Sequence, residues 1–264
     1  VQYADYAAWQ RQQFADSRWT DELSFWRRQL ADVAPLELPS DRPRSTTRTT
    51  AGANFSVELP AALLPALRKS AREQNASLFV VLAAVTKLLF ARLSGSQDVA
   101  LGTVTSGRES SELEEMLGFF VNTLVLRSHV DEERSFSEFL SQVRGTVVDA
   151  FDHRQLPFDR LVDAIAPDRD SNRMPLVQAM LVLQNTPDAR PSFGGLDVSE
   201  VVLPREASSF DLTVEFRENG DELTFGVEYN TDLFDAGTVE RWARDWVRLA
   251  EAVTAEPERR LVEV

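Results

Sequence analysis

From Leu78 to Leu93 every residue is apolar except Thr86, Lys87 and Arg92. A helix that is apolar on all sides has to be removed from water, and its length decides how. This run is shorter than the ~20 residues that cross a bilayer and carries two basic residues, so it reads as a buried helix at the centre of a core. Ser77 stands directly before it, where a hydroxyl accepts from the first free backbone N–H groups. The remaining chain must wrap such a helix. With 264 residues, 43% of them hydrophobic, there is material for one large or two small domains.

The flanking patterns supply the wrapping elements. Tyr3–Phe14 and Asp21–Leu30 are helical in character, with Leu23, Trp26 and Leu30 recurring at three- and four-residue spacing until Pro35 and Pro39. Residues 38–52 have no periodicity and form a surface connection. Asn54–Leu59 alternates as a strand, and Pro60 opens a helix with Leu63, Leu64, Leu67 and Ala71 on one face. Val99–Val104, Phe119–Leu126 and Leu176–Gln184 are short apolar runs suited to inner strands. Ser135 with Glu138 forms a capping box, and a short helix follows Pro157. Alternation through Leu212, Val214 and Phe216, then Asn219-Gly220, then Leu223, Phe225, Val227 and Tyr229 predicts a hairpin. Asp235 stands where it would cap a last amphipathic helix bearing Trp242 and Trp246. The expected fold class is α/β or α+β, a mixed sheet covered by helices.

The residue types exclude more chemistry than they suggest. A formal net charge of −14, with no block of Lys or Arg, argues against nucleic acid. There is no cysteine, so disulfides and thiolate chemistry are absent, and with no signal peptide visible the expected compartment is the cytoplasm. No initiator Met is present, which points to a piece of a longer chain. Two histidines cannot build a multi-histidine metal centre. His129 reads as a solvated turn residue, and His153 as a structural one packed near Pro157 and Phe158. Ser106-Gly107-Arg108 lacks the pattern of a nucleophile elbow or phosphate loop and reads as an ordinary loop. Asp168, Arg169, Asp170 and Arg173 read as a solvated mixed-charge patch. No self-contained catalytic constellation emerges from the residues themselves.

Several segments, taken in order, resemble a known family. Tyr3-Ala4-Asp5-Tyr6-Ala7-Ala8-Trp9 is similar to YxDYAxW, and Gly118-Phe119-Phe120-Val121-Asn122-Thr123-Leu124-Val125-Leu126-Arg127 to GxFVNTLxxR. His153 to Asp159 is similar to HQDxPFE, and Arg169 to Leu176 to RDxSRNPL. Weaker matches are Leu38–Pro43, Phe210–Leu212 and Glu228–Thr231. Together they resemble the second half of the condensation domains of nonribosomal peptide synthetases.

The resemblance implies one lobe of the chloramphenicol-acetyltransferase-like fold, spanning residues 1–264, with a tunnel between it and an N-terminal lobe. In that family the amide bond forms between carrier-bound acyl groups with the help of an HHxxxDG motif in the first lobe. This chain has no such motif, so it contributes no catalytic residue and is expected to be inactive alone. The resemblance places Trp9, Asn122, Thr123 and Arg173 at the tunnel or lobe boundary, with Arg173 pairing to the HHxxxDG aspartate. His153, Pro157 and Phe158 belong to a structural motif. Expected partners are the N-terminal lobe, peptidyl carrier proteins bearing phosphopantetheine arms and a neighbouring adenylation domain, with no cofactor or metal in this domain. Departures from the pattern are Arg154 and Gln155 in place of Gln and Asp, and Asn172 and Met174 in place of Ser and Asn. They leave open an alternative, a non-catalytic relative that recruits a tailoring enzyme.

Overall fold

The structure is a computed structural model and describes residues 2–13, 18–108, 110–166, 171–184, 194, 196 and 206–264. Phe14, Asp168, Arg169 and Asp170 lie outside the described residues. The buried helix, here α4, runs over Leu78–Ser94, after α1 (Tyr3–Gln13), α2 (Arg18–Gln29), β1 (Gly52–Glu58) and α3 (Leu63–Glu73). The Ser77 hydroxyl accepts from Val80 N, and Gly95, at φ 69°, ends the helix in the left-handed conformation. After α4 come β2 (Asp98–Thr105), the short α5 (Ser111–Glu114), β3 (Asn122–His129), α6 (Phe136–Asp152) and α7 (Phe158–Ile165). The chain then forms β4 (Ala179–Gln184), β5 (Leu212–Asn219), β6 (Glu222–Asn230) and α8 (Ala236–Ala255).

The strands make one mixed sheet in the order β1-β6-β5-β4-β2-β3. The β1/β6, β5/β6 and β2/β3 pairs are antiparallel, and β4 lies parallel to both β5 and β2. Six residue pairs join β4 to β5, whereas β4 meets β2 only at Gly102↔Met180. A Cβ on Gly102 would stand 2.2 Å from the Met180 sulfur, so the absence of a side chain there is what lets the strands meet. Thr103 Oγ1 also donates to Leu181 O across this junction (2.9 Å).

One sheet face presents Leu212, Val214 and Phe216 of β5 and Phe225 and Val227 of β6 to α4 and α8. Here Trp246 of α8 packs on Phe216 and Phe225. The polar interruptions of α4 are satisfied inside this layer. Thr86 Oγ1 donates to Leu82 O (2.8 Å) and accepts from Trp246 Nε1 (3.0 Å). Lys87, fully buried, donates through Nζ to Val99 O of β2 (3.0 Å) and Leu126 O of β3 (2.5 Å).

On the opposite face, Arg127 at the sheet edge grips Asp98 through two parallel hydrogen bonds, Nε to Oδ1 at 2.9 Å and Nη2 to Oδ2 at 2.8 Å. Its third nitrogen donates to Gln29 O and Ala31 O, tying down the end of α2. The Asp98 hydrogen bonds raise the Arg127 pKa further.

The mixed-sheet architecture expected from pattern is present, with three local corrections. Strand bounds move by up to three residues, because Phe119–Val121 precede the β3 ladder and 176–178 precede β4. The hairpin turn is Gly220-Asp221, since Asn219 pairs with Glu222 and Gly220 takes φ 61°. Finally, Asp235 is the N-cap residue of α8 but its side chain makes no capping hydrogen bond, and Asp41 braces the start of the helix. Asp41 accepts from Asp235 N (2.8 Å) and the Thr238 hydroxyl (2.9 Å), which holds its carboxyl below the usual range, while the Asp235 carboxylate pairs with Arg42.

Thr86→Val keeps the side-chain shape and leaves the buried Trp246 N–H without its acceptor. Chemical denaturation should show a loss of about 1–3 kcal/mol. An unchanged midpoint would mean that this bond contributes nothing to α4–α8 packing.

Candidate functional site

The start of β3 holds the loop between α6 and α7. Asn122 Nδ2 donates to Arg154 O and Leu156 O, both at 2.9 Å, and its Oδ1 accepts from Phe158 N (3.0 Å). Both amide hydrogens and the amide oxygen are thus spent on one turn. Pro157, with φ −61° and ψ 140°, enters α7 from extended backbone, and Phe158 is the first helical residue. Thr123 follows on the opposite side of β3, half-buried and across from Val104.

His153 lies against α2. Its ring stacks on Phe25 (centroids 3.9 Å apart, planes 16°), and its Nδ1 lies 3.2 Å from Glu22 Oε2. Trp26 Nε1 donates to the His153 carbonyl (3.0 Å). His129 is the exposed last residue of β3, not a turn residue, and its carbonyl accepts from Gln142.

Next to this clamp runs an apolar ridge. Leu117 is 93% exposed and Phe119 76%, and Val121 and Val104 are exposed beside them. Phe120 points the other way and is buried against Tyr3 and Tyr6 of α1, with the Arg108 guanidinium 4.3 Å from its ring centre. Tyr3 Oη donates to Phe119 O (2.9 Å). A Cβ on Gly118 would fall 2.3 Å from the Tyr3 ring, so glycine is required for α1 to dock here. Gly107, at φ +64°, is packed as tightly under the Phe120 carbonyl. The Ser106–Arg108 loop therefore seats the aromatic cluster, and Arg108 also donates to Leu113 O and Met116 O. Trp9 touches Tyr6 and is otherwise 53% exposed.

The sheet face beyond the ridge lacks a helical cover among the described residues. Thr213, Glu215 and Arg217 of β5, Thr224, Gly226 and Glu228 of β6, and Asn54, Ser56 and Glu58 of β1 alternate toward it and stay half-buried or exposed. This polar face, the apolar ridge and the exposed side of α1 form the surface available to another folded unit.

The family profile for the condensation domain matches residues 1–264. The chain belongs to the condensation-domain family. It is 37% identical over 261 residues to one of the proteins that make up the linear gramicidin synthase of Brevibacillus parabrevis, covering 98% of this chain and 5% of that protein. Among solved structures it resembles the X-domain from teicoplanin biosynthesis, with TM-score 0.87 and 26% identity over 100% of this chain and 62% of that one. The complex of that X-domain with OxyB matches with TM-score 0.86 and 26% identity, over 100% of this chain and 60% of the other. The chain spans only a small part of the synthetases it resembles.

Several condensation-domain motifs converge in space as loop clamps. Arg44, just past the Leu38–Pro43 stretch, pairs with Asp211, one oxygen at 3.0 Å, and donates to Asn172 O (3.3 Å). Asn230 donates to Thr49 O (2.9 Å), and its own N–H donates to Asp211 O. Arg173, expected to reach for an aspartate of another lobe, donates to Glu37 within this chain. The two line a cleft of about 560 Å³ with Asp32, Met174, Leu176 and Gln178. At Met174 the contact made is by the main chain, whose carbonyl accepts from Gln178 Nε2 (2.9 Å). Among the described residues, no group of three or more His, Asp or Glu is placed to hold a metal, and no single helix is long and apolar enough to cross a membrane.

Sequence reasoning missed Glu22, Phe25, Glu37, Asp41 and Arg44, which act across more than 100 residues of chain and leave no local periodicity. Asn122→Ala removes three hydrogen bonds and should cost about 2–4 kcal/mol, read as a lower denaturation midpoint with lost amide protection at Phe158. Retention of that protection would show that the turn holds itself.

Proposed function

We propose that this chain is the second lobe of a condensation domain that forms an amide bond between a donor acyl group and an acceptor amine, each carried on the phosphopantetheine arm of a peptidyl carrier protein. The observation that carries the reading is the conjunction of the GxFVNTLxxR strand with an uncovered polar sheet face and an apolar ridge. A general base has to come within hydrogen-bond reach of the attacking amine; the His153 ring is stacked on Phe25, and His129 ends β3 exposed. The family resemblance puts the catalytic histidine in an upstream lobe, and in this reading the chain provides tunnel wall through Thr123, Trp9 and the open face. Asn122 shapes the neighbouring turn, and Arg173 braces the cleft beside α7. Carrier proteins and an adenylation domain are the natural partners of such a lobe.

A second reading has its own support. The X-domain of teicoplanin biosynthesis, solved with OxyB, resembles this chain along its whole length, and the family motif is altered at Arg154 and Gln155. A recruitment domain would keep the fold and bind a tailoring enzyme in place of joining substrates.

Purified residues 1–264 should form no dipeptide from loaded carrier proteins, whereas the natural protein including the upstream lobe should. Product from the isolated chain would overturn the division of labour. A natural protein that forms none, yet retains a tailoring enzyme in pull-down, would establish the recruitment reading.

The ridge should also make the isolated chain self-associate. The double variant Leu117→Ser with Phe119→Ser should sediment as a monomer and fail to bind the upstream lobe. A wild-type chain that is monomeric at all concentrations would count against a lobe seam at this ridge.

A further inference from the structure

We propose that Lys87 is held as a neutral amine in the folded chain, and that its protonation is a built-in, pH-dependent release of the β2–β3 edge. Three observations converge on it. The first is the count of donors. An ammonium has three N–H groups and a neutral amine two, and Nζ meets two acceptors, Val99 O and Leu126 O, with no carboxylate bonded to it. A third donor buried without a partner would carry the full cost of desolvation.

The second is the choice of residue. The chain has 28 basic side chains, and only Lys69 and Lys87 are lysines. Arginine serves wherever a permanent charge is paired, as at Arg44 with Asp211 and Arg127 with Asp98. At the one fully buried basic position among the described residues, the chain uses the side chain that can lose its proton.

The third is the surroundings. The charge that acts on Lys87 is Asp98, on the opposite face of the sheet, whose carboxylate is already gripped by Arg127 of β3. The buried faces of α6 and α8 bring apolar side chains with Ser137 and Thr238, and no charge. On α4 itself, Arg92 is turned to the C-terminal carbonyls of Leu261 and Val264 and to Glu132. Burial pushes the Lys87 pKa from 10.5 down to about 7, with Asp98 opposing the shift.

The linkage has a definite sign. Between about pH 7 and 10.5 the unfolded chain binds a proton that the folded chain does not, so stability rises with pH across that window and is flat in this group below it. Protonation in the fold adds a buried charge and a third donor at Nζ, where Val99 O of β2 and Leu126 O of β3 are the two acceptors. Their neighbours Arg127 and Asn122 hold α2 and the 154–158 turn, so the edge and its clamps loosen together.

The two lysines make the test clean. In the chain labelled with 13C-lysine, two Cε signals should appear. Lys69, exposed in an i,i+4 pair with Glu73, supplies the second signal for comparison at pH 9, where Lys87 should already show the neutral shift. Two charged signals at pH 9 would overturn the proposal, and this reading does not depend on any variant folding. In Lys87→Met the unfolding constant should lose a pH dependence of about tenfold per unit between pH 7 and 10 relative to wild type. Equal slopes would overturn it too. Amide exchange, corrected for intrinsic rates, should show β3 losing protection below pH 7 in wild type alone. Unchanged β3 protection would eliminate the release.

Discussion

The constraint on which the rest depends is that α4 has no side facing water. A helix buried all round needs a partner for every polar atom it brings, and Thr86 and Lys87 bring several. Their partners are specific: Trp246 on α8, Val99 on β2 and Leu126 on β3. Apolar burial alone would let α4 rotate or slide against its neighbours. The hydroxyl and the amine fix its rotation and depth, and with them the place of the last helix and the edge hairpin. The two positions that interrupt the apolar run in the sequence are those that set its register in the fold.

Legibility followed the range of the interaction. Helix starts written in neighbouring residues, such as Ser77 and the Ser135–Glu138 box, were readable because donor and acceptor are three residues apart. The brace on the start of α8 was not, because Asp41 reaches it from a connection with no periodicity, nearly 200 residues earlier. The same holds for Arg44 and Asp211, and for Phe25 under His153. A histidine before a proline says that something packs there, but not what. Of the expected site residues, Asn122 and Arg173 were found by family pattern, and only side-chain geometry revealed that both are engaged inside the chain.

These engagements change the meaning of the motifs. Asn122, Pro157 and Phe158 form one turn, while Arg44, Asn172, Asp211 and Asn230 form another cluster, joining segments far apart in sequence. A conformation specified by buried hydrogen bonds to backbone carbonyls does not tolerate substitution, since each carbonyl left alone carries a desolvation cost. The surface left for chemistry, namely the open sheet face and the ridge from Leu117 to Val121, is the part with fewest internal commitments.

The single residue pair between β2 and β4 has a mechanical consequence. A sheet joined across six pairs on one side of β4 and one on the other is two plates with a seam, and the seam is bridged by a thioether over a glycine and one threonine hydroxyl. Thioethers deform at little energetic cost. A load applied at the β2–β3 edge is therefore taken up as shear at Gly102 and Met180, before it reaches the plate of β4, β5, β6 and β1. The fold has a compliant margin on the side where its apolar ridge meets the outside, and a stiff remainder.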